Sequence, residues 1–306
     1  MSTNPGASTA RRPLALDGGM GRELLRIGAP FRQPEWSAIA LWEGPEWVVQ
    51  AHTNFIEAGA ELVTTNSYAL VPFHIGEERF AADGRALAEL SGRLARQAAG
   101  EAGRPVLVAG SLPPLFGSYR PDLFVAERSA AVIDPLVDGL APHVDVWLGE
   151  TLGSIEEAQT VRAALDRAGS PLPLWISYTL DDHVPGTLRS GEPIVDAVHA
   201  AADLGADAVL FNCCPAETIT SAIATTLEHA PAHMATGGYA NRFVAGHADD
   251  VRANAGLATF RDDLDPHDYG GFVAEWLRMG ARLVGGCCGM EPAHIAEVAT
   301  LVAAQR

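Results

Sequence analysis

The sequence predicts an α/β protein built as a single (β/α)8 TIM barrel, on three grounds. Short apolar runs alternate with helical stretches along the whole chain, which favours a parallel sheet wrapped by helices. One helix-stop, strand-start solution recurs as Gly-Ala-Glu-Leu-Val, Gly-Ala-Asp-Ala-Val and Gly-Ala-Arg-Leu-Val at Gly59, Gly205 and Gly280. The 306 residues, 48% of them hydrophobic, suit one such barrel and show no change of composition that would separate domains.

In order, residues 1–12 are small and polar and read as a flexible leader, leaving 13–306 as the barrel. Leu14-Ala15-Leu16 is the first strand and ends in Asp17-Gly18-Gly19, followed by a helical turn around Arg22 to Ile27. Residues 28–44 hold two prolines and two tryptophans and read as an irregular crossing loop. Pro45 opens a helix to Ala58, because proline lacks only an amide hydrogen that the first turn leaves unused. Glu61 to Asn66 is the second strand, Glu77 to Gln97 a long helix, and Pro105 to Ser111 the third strand, with a Pro-rich loop beyond it. A helix over 122–141 leads to the fourth strand, Val144 to Glu150. Ser154 with Glu157 has the capping-box spacing for the next helix. Leu174 to Tyr178 is the fifth strand, Asp181 to Gly191 a polar loop, and Pro193 to Leu204 a helix. The sixth strand, Ala208 to Asn212, precedes a helix from Ala216 to Glu228. A weak seventh strand lies near His233 to Gly238, followed by a long loop from Tyr239 to Pro266. A helix at Asp268 to Met279, the eighth strand at Ala281 to Val284 and a last helix at Glu291 to Ala304 complete the set.

The formal charge of −17 argues against nucleic acid, since a phosphate backbone needs a basic face. It suits a cationic small molecule. No apolar run approaches membrane-spanning length, and the leader lacks the apolar core of a signal peptide. A cytoplasmic protein is therefore expected, in a compartment where thiols stay reduced. Nothing in the chain argues against an oligomer.

Chemistry in this fold sits where strands end. The ends read here are Asp17, Thr64-Thr65, Glu150, Asn212-Cys213 and Gly285-Gly286-Cys287-Cys288-Gly289, so two carboxylates and three or four thiols converge on one mouth. Zinc is the natural partner of several thiolates, and three protein ligands with an open fourth position mark a catalytic site. Neighbouring cysteines can share one ion only if the backbone kinks, which Gly286 and Gly289 permit. Buried free cysteines are the competing reading.

Asp17-Gly18-Gly19-Met20, Glu150-Thr151-Leu152, Asn212-Cys213 and Gly285-Gly286-Cys287-Cys288, in this order and spacing, resemble the homocysteine S-methyltransferase family. The third-strand loop with Ser118-Tyr119-Arg120-Pro121-Asp122 is also similar, and the likeness runs from about Leu14 to Leu301. The resemblance implies a zinc-dependent barrel enzyme that methylates the thiol of homocysteine to give methionine. It implies Cys213, Cys287 and Cys288 as zinc ligands, Asp17 and Glu150 around the amino group of homocysteine, and Thr64, Tyr68 and Asn212 in the substrate site. Cys214 has no ligand role in the pattern. Family donors are cationic, and the absence of a C-terminal extension and of folate or cobalamin domains favours S-methylmethionine or S-adenosylmethionine. Trp36, Trp42, Tyr119 and Tyr239 are aromatic faces available to such a cation. Tyr239-Ala240-Asn241-Arg242 departs from the family's usual Tyr-Pro-Asn, which leaves another thiol, or a selenol, as an alternative acceptor. A zinc hydrolase on the same fold and a barrel using the metal only as a staple are the competing functions.

Overall fold

The computed structural model describes residues 12–244 and 259–305. The leader therefore lies outside the described residues except for Arg12, as do residues 245–258 of the long loop after Tyr239. Eight short strands run parallel: β1 Leu14–Ala15, β2 Leu62–Thr64, β3 Leu107–Leu112, β4 Val146–Leu152, β5 Leu174–Tyr178, β6 Ala208–Asn212, β7 Ala235–Ala240 and β8 Leu283–Gly286. They form one sheet in the order β1-β8-β7-β6-β5-β4-β3-β2, in register at Leu14↔Leu283, Leu62↔Leu107 and Val209↔Thr236. The result is a nearly closed (β/α)8 barrel.

Inward-facing positions alternate along each strand, as the two-residue side-chain period requires. Low in the barrel they are apolar, with Leu14, Leu16, Leu62, Ala109, Val146, Leu148, Trp175, Ala208 and Leu210 packed into one buried cluster. Two residues further along the same strands the side chains turn polar: Ser111 after Ala109, Glu150 after Leu148, Ser177 after Trp175, Asn212 after Leu210. The hydrophobic plug thus stops one layer short of the C-terminal mouth. A larger cluster between the sheet and its surrounding helices forms the outer core.

The seam between β1 and β2 has no strand ladder. Glu61 donates its amide to the Ala15 carbonyl at 2.8 Å. At the mouth the Asp17 side chain takes the place of a backbone acceptor, its Oδ2 receiving the Thr64 amide at 2.7 Å.

Several elements differ from the expectation. The crossing loop contains a 3-10 turn at Ser37–Ile39 and a short helix at Ala40–Glu43, formed because Ala38, Ile39 and Ala40 are fully buried. The helix expected over 122–141 spans Ala126–Leu140, preceded by a 3-10 turn at Pro121–Leu123. β7 is displaced towards Ala240 from the expected His233–Gly238. Two central glycines hide its signal, and they are needed: a Cβ on Gly237 would stand 1.7 Å from the Leu283 carbonyl oxygen. Ser154 does cap the helix Ile155–Arg167, accepting the Glu157 amide at 3.2 Å. The Glu157 carboxylate instead accepts the Gly153 amide at 2.6 Å.

Candidate metal centre and substrate pocket

The Sγ atoms of Cys213, Cys287 and Cys288 lie within 4.8 Å of one another, the one such metal-competent cluster among the described residues. Two backbone devices bring them together. After β6, Cys213 itself adopts a left-handed conformation, φ 53°, which turns its side chain into the mouth while Cys214 stays fully buried beneath. After β8, the Cys287-Cys288 turn closes through Gly289 at φ 84°, with the Met290 amide donating to the Cys287 carbonyl at 3.0 Å. The end of β7 ties the two turns to each other. Its Tyr239 and Ala240 carbonyls accept the amides of Cys213 and Cys287 at 3.2 and 2.8 Å, and the Arg242 amide donates to the Cys288 carbonyl at 2.9 Å. Gly19 packs against this turn so closely that a Cβ there would lie 2.7 Å from the Cys287 carbonyl oxygen.

The sulfurs border a cavity of about 200 Å³ that also meets Asp17, Thr64, Tyr68, Glu150, Tyr119 and Tyr239. Thr64 Oγ1 donates to Asp17 Oδ1 at 3.1 Å, so the carboxylate is fixed by Thr64 twice. Helix capping, the ordinary use of an Asp at this place, does not apply: the following helix, Met20–Ile27, begins at Gly19 with no side-chain cap. Ser111 Oγ holds Glu150 at 2.5 Å. Burial pushes Asp17 up to about 8, more than the Thr64 bonds pull it down, with the charge of Glu150 adding to the rise. Burial likewise raises Glu150 to about 7, against the pull of the Ser111 hydroxyl. Two carboxyls reluctant to ionise alone, facing one cavity, are prepared for a cation.

Among the thiols, Cys213 is held low by the S–H groups of Cys287 and then Cys288 beside it, and its two neighbours are pushed up in return. The bare cluster holds one negative charge readily and resists more. Cys214, buried and without such partners, is pushed well up and behaves as packing.

Asn212 lies below the cavity rather than on its wall. It is fully buried, and its Oδ1 accepts from the Thr151 amide at 3.1 Å and from Ser177 Oγ at 2.7 Å. Its Nδ2 donates to Thr151 Oγ1 at 2.8 Å and stands 3.8 Å from Cys287 Sγ. Tyr68 is on the wall, its hydroxyl 2.9 Å from Ser118 Oγ. Of the four candidate aromatics, Trp36, Tyr119 and Tyr239 reach the cavity. Trp42 does not; it lies under the Arg79 guanidinium at 4.6 Å. The four non-glycine residues of positive φ among the described residues, Trp36, Tyr119, Thr151 and Cys213, all line this cavity. Strained backbone persists where surroundings over-determine it, and here it is concentrated at one site.

A parallel barrel whose mouth gathers three cysteine sulfurs and two desolvated carboxyls belongs to the metal-dependent enzymes that handle small thiols. More narrowly, the chain belongs to the homocysteine S-methyltransferase family, whose model matches residues 14–302. It is 31% identical over 300 residues to the homocysteine S-methyltransferase of Escherichia coli, covering 92% of this chain and 93% of that one. It is also 31% identical over 320 residues to the methionine synthase of Mycobacterium tuberculosis, covering 96% of this chain but 25% of the relative. The chain thus spans about a quarter of that protein's length. The crystal structure of the metallated form of the homocysteine methyltransferase MmuM from Escherichia coli superposes with a TM-score of 0.78 at 27% identity, covering 97% and 99% of the two chains.

The family is zinc-dependent, and the residues present fit zinc. Tetrahedral ligands at Zn–S distances near 2.3 Å stand about 3.8 Å apart; Cys213 and Cys288 Sγ are 3.7 Å apart. Three soft sulfurs bordering the cavity would hold such an ion and leave it room for one further ligand. Among the described residues no helix is long and apolar enough to cross a membrane.

Proposed function

We propose that this protein transfers a methyl group from a sulfonium donor, S-methylmethionine or S-adenosylmethionine, to the thiol of homocysteine, giving methionine. The observation that carries the reading is the shared cavity: the three sulfurs at one end, and Asp17 and Glu150 turned into the same space. A homocysteine molecule has a thiol at one end and an ammonium at the other. Cys213, Cys287 and Cys288 would hold zinc, which when bound keeps a thiol ionised at neutral pH.

The chain's own residues do the rest. Asp17 and Glu150 accept the hydrogens of the ammonium group, and its positive charge offsets the burial that otherwise keeps them protonated. Thr64 and Ser111 fix those carboxylates before the substrate arrives. Asn212 acts through others: it holds Thr151 in its left-handed backbone conformation and reaches towards Cys287. Tyr68 and Ser118 form a polar wall. Trp36, Tyr119 and Tyr239 supply ring faces to a sulfonium and exclude water from the methyl carbon. The homocysteine sulfur, its proton lost to solvent, attacks that carbon in line. The new S–C bond forms as the donor's C–S⁺ bond breaks, with the electron pair returning to the donor sulfur. Two neutral thioethers leave.

The test is methionine formation by reduced, zinc-loaded protein given homocysteine with each donor in turn, before and after chelation. Activity with one of the two donors that disappears on chelation and returns with zinc is expected. Turnover of an ester or amide without any thiol acceptor would make the protein a hydrolase. Loss of fold on chelation, with no methyl transfer beforehand, would make the metal a staple.

A further inference from the structure

One side chain on the cavity wall makes a contact that methyl transfer does not by itself require. The Tyr119 hydroxyl donates to Cys213 Sγ at 2.9 Å. Both ends of that bond sit on strained backbone, with φ 61° at Tyr119 and 53° at Cys213, a conformation that ordinary side chains avoid. Something must hold them there, and for Tyr119 the holder is visible. The Arg189 guanidinium lies over its ring, 5.4 Å from the centroid. Arg189 is paired with Asp182 at 2.8 Å, and both side chains are only 6% exposed. A buried ion pair adds little net stability compared with apolar packing of the same volume, so this one is better explained by what it positions. Its loop is itself braced: Asp181 Oδ1 accepts the amides of His183 and Val184 at 2.8 Å, and Leu180 bridges to Leu188.

The geometry points to Tyr119 as a positioning residue of the metal centre, braced by the Arg189–Asp182 pair, whose O–H fixes the Cys213 sulfur and draws charge from it. The inference rests on the zinc–thiolate reading above. Hydrogen bonds to an ionised acceptor are the strong ones, and partners of ligand atoms govern metal affinity. Of the three sulfurs, Cys213 stands alone on its strand end, without the adjacent cysteine turn that fixes the other two, so it has most need of an outside anchor. A thiolate that gives up density to a phenol also leaves the ion more electron-poor, and hence more attractive to an incoming sulfur.

The experiment compares full-length wild type, Tyr119→Phe and Tyr68→Phe. Tyr68→Phe removes a cavity phenol that bonds to Ser118 rather than to sulfur. Zinc affinity is measured by competition with a chromophoric chelator, and the sulfur-to-metal charge-transfer band is recorded after loading with Co²⁺. Tyr119→Phe is expected to bind zinc roughly 10- to 100-fold more weakly, the range for loss of a ligand's supporting partner, and to move the band to lower energy. Tyr68→Phe should leave both unchanged. Arg189→Lys keeps the charge but loses the flat guanidinium; it should move both readouts part of the way, and it decides the matter if Tyr119→Phe does not fold. Wild type that binds zinc while Tyr119→Phe matches it in affinity and spectrum overturns the inference and leaves the proposed function standing. An equal shift in Tyr68→Phe overturns it too, since general cavity polarity would then be the cause. Wild type that takes up no zinc or Co²⁺ defeats the proposed function, and this inference with it.

Discussion

Replacing Asp17 by Asn removes a charge and almost nothing else. In the wild type, Asp17 Oδ2 accepts the Thr64 amide at 2.7 Å and Oδ1 accepts from Thr64 Oγ1 at 3.1 Å. An asparagine can keep both contacts, its carbonyl taking the amide and its NH₂ donating to the threonine hydroxyl oxygen. The seam and the wall therefore stay as they are. What disappears is half of the negative charge facing the substrate ammonium. A hydrogen bond to a charged group contributes about 1.5–3 kcal/mol, so homocysteine should bind about 10- to 150-fold more weakly. Titration calorimetry on reduced, zinc-loaded protein measures this directly, and 4-mercaptobutyrate, which lacks the amino group, provides the control. Wild type should prefer homocysteine strongly; in the variant, where Glu150 remains, that preference should shrink by the same factor of about 10 to 150. The pH dependence has a defined sign. Asp17 and Glu150 stand at about 8 and about 7, so wild-type affinity for the ammonium should rise as pH climbs through 7 to 8, and the variant should lose the upper step. An Asp17→Asn protein that binds homocysteine as well as wild type, or that loses affinity for the methyl donor instead, would refute the assignment.

Other expectations follow from the same geometry. In metal-free, reduced protein the raised carboxyls destabilise the fold once ionised: their favourable contribution is complete only below pH 3.8, the lower of the two ordinary values, and is lost as pH rises through 7 to 8. Thermal melting temperatures should therefore fall across that window, and Asp17→Asn should flatten the fall; a steeper fall in the variant would contradict the burial argument. Cys287→Ala should abolish stoichiometric zinc uptake, whereas Cys214→Ala should keep it and lose only roughly 1 kcal/mol for one buried atom's packing. Elemental analysis of the two purified variants separates them, and equal metal loss in both would overturn the ligand set. Gly19→Ala touches no sulfur, yet its Cβ would meet the Cys287 carbonyl oxygen at 2.7 Å and the Cys288 Cα at 3.1 Å. It should weaken zinc binding by about 10-fold or more while far-UV circular dichroism stays unchanged; unaltered affinity would mean that the thiol turn yields freely.

Most of the barrel was legible because its strands are short apolar runs set between glycine stops and helices. The exceptions have physical causes. β7 has two glycines at its centre, where Leu283 passes too close for a side chain at Gly237, and a strand selected for close approach has a weak hydrophobic signal. The segment 37–43 forms helical turns because tertiary burial of Ala38, Ile39 and Ala40 overrides a local pattern dominated by proline and tryptophan. In the site, the cysteines and carboxylates could be read off strand ends, since their chemistry is rare and their placement is set by topology. Ser111 could have been found as well, because the two-residue period carries Leu107 and Ala109 on to it. Thr151, Ser177 and Tyr119 could not be ranked from sequence: what singles them out is a left-handed φ, a shared amide partner, or a hydroxyl aimed at sulfur. Trp42 shows the opposite limit, since an aromatic ring in a mouth loop gives no sign of which way it faces.

The side-chain closure between β1 and β2 has one more consequence. All eight staves of this cask are nailed along seven seams, and at the rim the eighth seam is closed by a clasp, the carboxylate of Asp17 gripping the Thr64 amide. Whatever guest seats its positive end on that clasp also tightens the hoop, so occupancy and rigidity of the rim rise as a single event. The peptide hydrogen of Thr64 is then a built-in gauge, trading slowly with deuterium when the vessel is filled and faster when it is drained.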